Sequence, residues 1–129
     1  MPAMVMAHET DPAQVLLDKL GVLDAFELFN NQVLCAVYQR PEKTSTGIYL
    51  TDAVRDEDRS QGKVGLIVKM GSAAFDDPTG RWGFADMELH DWVFYRASDG
   101  WAVTVNGVLC RILDDTNVRG RIQSPDDVW

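Results

Sequence analysis

The stretch Trp92-Val93-Phe94-Tyr95-Arg96-Ala97-Ser98-Asp99-Gly100-Trp101-Ala102-Val103-Thr104-Val105-Asn106-Gly107-Val108-Leu109-Cys110-Arg111-Ile112-Leu113 decides the fold. Three runs of β-branched, aromatic and other apolar residues alternate with two turn signals, Ser98-Asp99-Gly100 and Asn106-Gly107. Asn and Gly both tolerate positive φ, so the second signal predicts a type I′ hairpin joining strands at 101–105 and 108–113. A further strand is predicted at 92–95. Asp114-Asp115-Thr116-Asn117 then breaks the pattern, and 118–122 reads as one last short strand at the edge of a sheet.

Working upstream, residues 63–70 form a strand that places Val64, Leu66, Val68 and Met70 on one face and closes at Gly71. Residues 33–38 form another, ended by Arg40-Pro41, because proline biases the residue before it toward extended backbone. Between them lies a polar stretch, 42–62, interrupted by Ile48-Tyr49-Leu50 and followed by Asp52, Asp56, Glu57 and Asp58. A connection this long within a small domain is either functional or a sign against the strand assignment. Residues 71–89 read as a hairpin excursion around Asp76-Asp77-Pro78-Thr79-Gly80, flanked by Phe75, Trp82 and Phe84.

A helix is predicted at 12–20, as an appendage to the sheet. Thr10 or Asp11 caps it, Pro12 fits its first position, Val15, Leu16 and Leu20 share a face, and Gly21 stops it. Two or three turns are marginal alone, so it must dock on its own domain or on a neighbouring chain. Val22, Leu23, Phe26, Leu28 and Phe29 could help cover that contact.

Composition bounds what such a domain does. The 129 residues, 46% hydrophobic and 25% charged, suit a single cored domain, and no apolar run approaches a bilayer span. A net charge of -8 disfavours the phosphate backbone, so neither nucleic acid nor a membrane is an expected partner. The Met1-Pro2-Ala3-Met4-Val5-Met6 start does not read as a secretory signal, and the default expectation is a reducing, cytoplasmic setting. Cys35 and Cys110 fall within predicted strands and read as buried, inert thiols. His8 and His90 read as solvated. The pairs Asp76-Asp77, Asp114-Asp115 and Asp126-Asp127 read as turn formers, and Trp92 and Trp101 as core aromatics. With neither a nucleophile and its base nor a metal or cofactor motif, no catalytic residue, metal or cofactor is expected.

The order of these elements resembles the chaperonin-10 family, the GroES-like co-chaperonins. Leu28-Phe29-Asn30-Asn31-Gln32-Val33-Leu34-Cys35 looks like that family's lead-in to its first strand, and Thr44-Ser45-Thr46-Gly47-Ile48-Tyr49-Leu50-Thr51 like its mobile loop. Gln61-Gly62-Lys63-Val64-Gly65-Leu66-Ile67-Val68-Lys69-Met70-Gly71 is similar to the strand that closes the loop. Leu89-His90-Asp91-Trp92-Val93-Phe94-Tyr95 resembles the family's VGDxVxF strand. Val108-Leu109-Cys110-Arg111-Ile112-Leu113-Asp114-Asp115-Thr116-Asn117-Val118 resembles its terminal segment. No single piece is specific; their order and spacing are. The chain departs from the family at Leu28, where a proline is usual, at Gln32, where a basic residue is, at Thr46, where a glycine is, and at Tyr49, where an aliphatic residue is.

The resemblance covers roughly residues 28–122 and implies an all-β, small GroES-like β-barrel with a long mobile-type loop, a β-hairpin excursion and a short N-terminal helix. Residues 1–27 become a helical extension, 28–122 the barrel domain and 123–129 a tail. By the same resemblance the protomer joins a homo-oligomeric ring that caps a chaperonin and has no catalysis of its own. Gly47, Ile48, Tyr49 and Leu50 would be the chaperonin contacts, and Val118 and Ile122 the subunit interface. From the residues alone, Ile48-Tyr49-Leu50 is also compatible with a short edge strand. A second class of function is open as well: a phage capsid or tail component, located in the virion, that reuses the barrel as an assembly module and has viral structural proteins as partners.

Overall fold

The computed structural model describes residues 10–39, 63–76 and 87–127. Among these residues six antiparallel strands build one sheet: β1 (Gln32–Val37), β2 (Val64–Met70), β3 (Trp92–Phe94), β4 (Trp101–Val105), β5 (Val108–Asp114) and β6 (Gly120–Ile122). Their spatial order is β4-β5-β1-β2-β3-β6. One α-helix among the described residues, α1 (Pro12–Leu20), precedes them, and 3-10 turns at Asp115–Asn117 and Pro125–Asp127 flank β6. The chain is therefore mostly β. The Asn106-Gly107 hairpin forms as its chemistry requires, with φ of 50° and 81° at the two turn residues.

Closure into a barrel is not what the pairing gives. The sheet ends at β4 on one side and at β6 on the other, so among the described residues it is open. β6 is three residues long before the chain turns at Ser124-Pro125, which is too short to supply a closing ladder. The last strand is correspondingly shorter than the expected 118–122, because Val118 caps the Asp115–Asn117 turn instead of pairing.

β1 is the centre of the structure. It pairs with β2 along one edge and β5 along the other, and it is buried on both faces. Leu34, Ala36 and, just beyond the strand, Tyr38 join Val64, Leu66, Trp92 and Cys110 on one face, whereas Val33 and Cys35 join Ile67, Val93, Tyr95 and Leu113 on the other. The expected alternation in β2 fails after Val68. Leu34 pairs with Lys69 but Cys35 with Ile67, so Val68 is an extra, bulged residue. Val68 stays with the first core, while Met70 packs against the second, opposite to the face predicted for it.

The helix is integrated with the sheet, not an appendage. The Asp11 carboxylate caps Ala13 N at 3.3 Å, Pro12 occupies the first turn, and Gly21, at φ 66°, ends the helix. Leu20 is 1% exposed within the first core, and its carbonyl accepts a hydrogen bond from Asn106 Nδ2 at the hairpin tip. The chain beyond it is held where Lys69 Nζ donates to Leu23 O at 2.7 Å. Leu23 and Leu28 pack on the core, but Val22 and Phe29 remain 78% and 67% exposed. Trp101 also departs from its expected core role: it sits on the edge strand β4 and is 60% exposed, whereas Trp92, in the interior strand β3, is buried.

Because Leu20 plugs the first core, Leu20→Ala is expected to lower unfolding free energy by about 2–5 kcal/mol, measured by urea denaturation. A change below about 0.5 kcal/mol, the range of ordinary surface substitutions, would mean that the helix does not dock in solution.

Candidate functional site

Residues 40–62 run from β1 to β2, and the structure fixes the base from which that segment leaves the sheet. Tyr38 N donates to Val64 O at 2.9 Å and Tyr95 N to Lys63 O at 2.9 Å, so the two ends of the connection are joined to each other and to the chain beyond β3. Arg119 N donates to Phe94 O at 2.9 Å, which ties the approach to β6 into the same end. The Tyr38 hydroxyl donates to Asp126 Oδ1 at 2.6 Å, and its ring meets Trp92 edge to face at 5.6 Å. Burial of the Tyr38 ring with its polar tip satisfied makes this stem a rigid support. Gly47, Ile48, Tyr49 and Leu50, the expected chaperonin contacts, lie outside the described residues.

The expected interface residues are separated by the sheet. Val118 is 8% exposed and packs on the second core, against its own chain. Ile122 lies on the edge strand β6, half-buried against the first core, and lines an open cleft of about 500 Å3 with His90, Asp91, Trp92, Arg121 and Gln123. Arg121 Nη1 and Asp91 Oδ2, 3.3 Å apart, form an ion pair on the cleft wall. His90 is exposed, as expected, and has a φ of 73°, an uncommon conformation for a residue with a side chain. His8 lies outside the described residues. Among the described residues no group of three or more His, Cys, Asp or Glu side chains could hold a metal ion. No described helix is long and apolar enough to cross a membrane.

Both cysteines are buried free thiols. Cys35 pairs across the ladder with Arg111 while Ala36 pairs with Cys110, so the two thiols point to opposite faces of the sheet and are not placed for a disulfide. Burial pushes Cys35 far above the ordinary thiol range and Cys110 up to about 11. Neither is a thiolate nucleophile at neutral pH.

Asp115 was expected to be a turn former and does more. Buried at 5% exposure, its carboxylate accepts Asn31 Nδ2 and Phe75 N, each at 3.0 Å, while its own N–H donates to Asn31 O at 3.0 Å. This one side chain joins the end of β5 to the lead-in of β1 and to the start of the 71–89 excursion. The Asp-Asp pattern held no signal for it, because the partners are 84 and 40 residues away. No protein-family model matches the chain, and no curated protein matches it.

Cys110 gives a pH test. The unfolded thiol releases its proton near pH 9.0 and the folded one near 11, so above pH 9 the unfolded state binds fewer protons and gains stability relative to the native one. Native stability is expected to be intact below pH 9 and to fall as pH rises through about 11. Urea midpoints across that range should fall less steeply for Cys110→Ala than for the wild type, and equal slopes would contradict the burial assigned to the thiol.

Proposed function

We propose that the chain is a GroES-like co-chaperonin protomer whose segment 40–62 carries the chaperonin contact at Gly47, Ile48, Tyr49 and Leu50. The observation that carries this reading is the stem: a long polar connection bearing one apolar tripeptide springs from two adjacent, hydrogen-bonded strands. A segment of this composition gains apolar burial when it docks in an apolar groove, at the expense of chain entropy. The single contact is weak, and repetition around an oligomer converts it into avidity. The open sheet supports the assembly part of the reading. Among the described residues β4 and β6 are the outermost strands, and an edge of that kind is commonly covered by another chain.

Ile48→Glu and Leu50→Glu are each expected to abolish capture by a chaperonin ring with nucleotide while leaving the melting temperature within a degree or two of wild type. Each buried aliphatic side chain is worth roughly 1.5–3 kcal/mol, multiplied over the copies in an oligomer. Wild-type protein that no host chaperonin retains, together with variants that lose stability or assembly, would overturn the co-chaperonin reading in favour of a virion assembly module.

Assembly is tested separately. In sedimentation at micromolar concentration the wild type is expected to run as a homo-oligomer, and Ile122→Asp, at the β6 edge, as a smaller species. A wild-type monomer would remove the ring from the proposal.

A further inference from the structure

The second face of the sheet buries a guanidinium that pairs with no carboxylate among the described residues. Arg111 stands on β5 across from Cys35 and is 9% exposed. Its Nη1 donates to a main-chain carbonyl, Asp99 O, at 3.2 Å, and its Nε has no hydrogen-bond partner among the described residues. A buried guanidinium ordinarily sits against a carboxylate. The carboxylate of the residue whose carbonyl it meets is already engaged: Asp99 takes Arg96 at 3.3 Å and Arg119 at 3.9 Å. Two guanidinium groups, those of Arg96 and Arg119, therefore share the Asp99 carboxylate, and Arg111 reaches only its main-chain carbonyl.

A second orphan lies on the same face. Tyr95 is 3% exposed and its hydroxyl has no partner among the described residues. It is placed there by Gly65: a Cβ at that position would stand 3.1 Å from the Tyr95 hydroxyl and 2.9 Å from Cys35 Cβ, so only glycine lets the ring lie across β2 beside Cys35. Burial raises Tyr95 well above the ordinary phenol range, with Arg111 near enough to act against that rise. Burial likewise keeps Cys35 protonated. Neither neighbour can become the missing counter-charge at neutral pH, and both keep their protons to donate. A water here would accept hydrogen bonds from the two orphans and then have two protons of its own to place. An anion accepts both and neutralises the guanidinium, with no proton left over.

We propose that Arg111 Nε and the Tyr95 hydroxyl form an internal site for a small monovalent anion of chloride size, beneath the turn at 96–100. The bound ion completes the hydrogen bonding of both donors and offsets an otherwise uncompensated buried charge. Chloride thereby becomes a component of the folded state, and stability depends on its concentration by mass action. Arg111 and Tyr95 lie outside segment 40–62, and the test below reads halide binding alone, so the site stands or falls independently of chaperonin binding.

The test uses the full-length chain crystallised in sodium bromide, with anomalous scattering locating the halide. The expected result is a bromide peak between Arg111 and Tyr95, reduced in Tyr95→Phe, which removes one donor with almost no change of volume, and absent in Arg111→Met. In parallel, the melting temperature is followed as gluconate, too large to be enclosed, is replaced by chloride at constant ionic strength. The wild type should gain several degrees, Tyr95→Phe less and Arg111→Met none. A water or no density between the two side chains, bromide confined to the protein surface, or a chloride response equal in wild type and Tyr95→Phe would overturn the proposal.

Discussion

Everything in this structure depends on β1 being buried on both faces while paired along both edges. Gln32–Val37 exchanges hydrogen bonds with β2 and with β5, and its side chains alternate between two cores. A strand in that position satisfies its backbone completely and removes from water an almost unbroken apolar run, Val33 to Val37. The remaining elements cover what it leaves open. α1 and the β4–β5 hairpin meet at Leu20 and Asn106 on the first face, and residues 71–76 with Met87 and Val118 pack on the second.

Covering two faces of one short sheet forces local irregularities, and each has an identifiable cause. The bulge at Val68 keeps two consecutive positions, Val68 and Lys69, available to the helical side, where one fills the core and the other holds the Leu23 carbonyl. Phe75, with a φ of 56°, is kept in its left-handed conformation by the Asp115 carboxylate that accepts its N–H. Gly71 lies where a side chain would stand 2.4 Å from Asn30 O, so the chain leaves β2 directly against the lead-in to β1. Together these hold the base of the 71–89 excursion against the second core.

The same economy shapes the functional surface. Tyr38, Trp92 and Asp126 convert one end of the sheet into a satisfied, packed stem, while β4 and β6, the outermost of the described strands, carry Trp101 and the His90–Ile122 cleft. The polar set at Cys35, Tyr95 and Arg111 is different in kind, since it lies inside the domain where aliphatic residues would pack without any unsatisfied group.

Local structure is legible in the chain, namely the strands, the helix between Asp11 and Gly21 and the Asn106-Gly107 hairpin, because period-two alternation, caps and positive-φ residues act over a few bonds. The sequence also marked the cysteines as buried and Ile48-Tyr49-Leu50 as an apolar island in a polar stretch. Tertiary structure alone decided the rest. Which face Met70 takes depends on a bulge set by pairing with β1, and Trp101 is exposed because its strand falls at an edge. Whether the sheet closes depends on how many residues β6 can pair before Pro125. Asp115 reads as a turn former and Arg111 carries no sequence signal, because their roles are defined by groups that adjoin them only after the chain has folded.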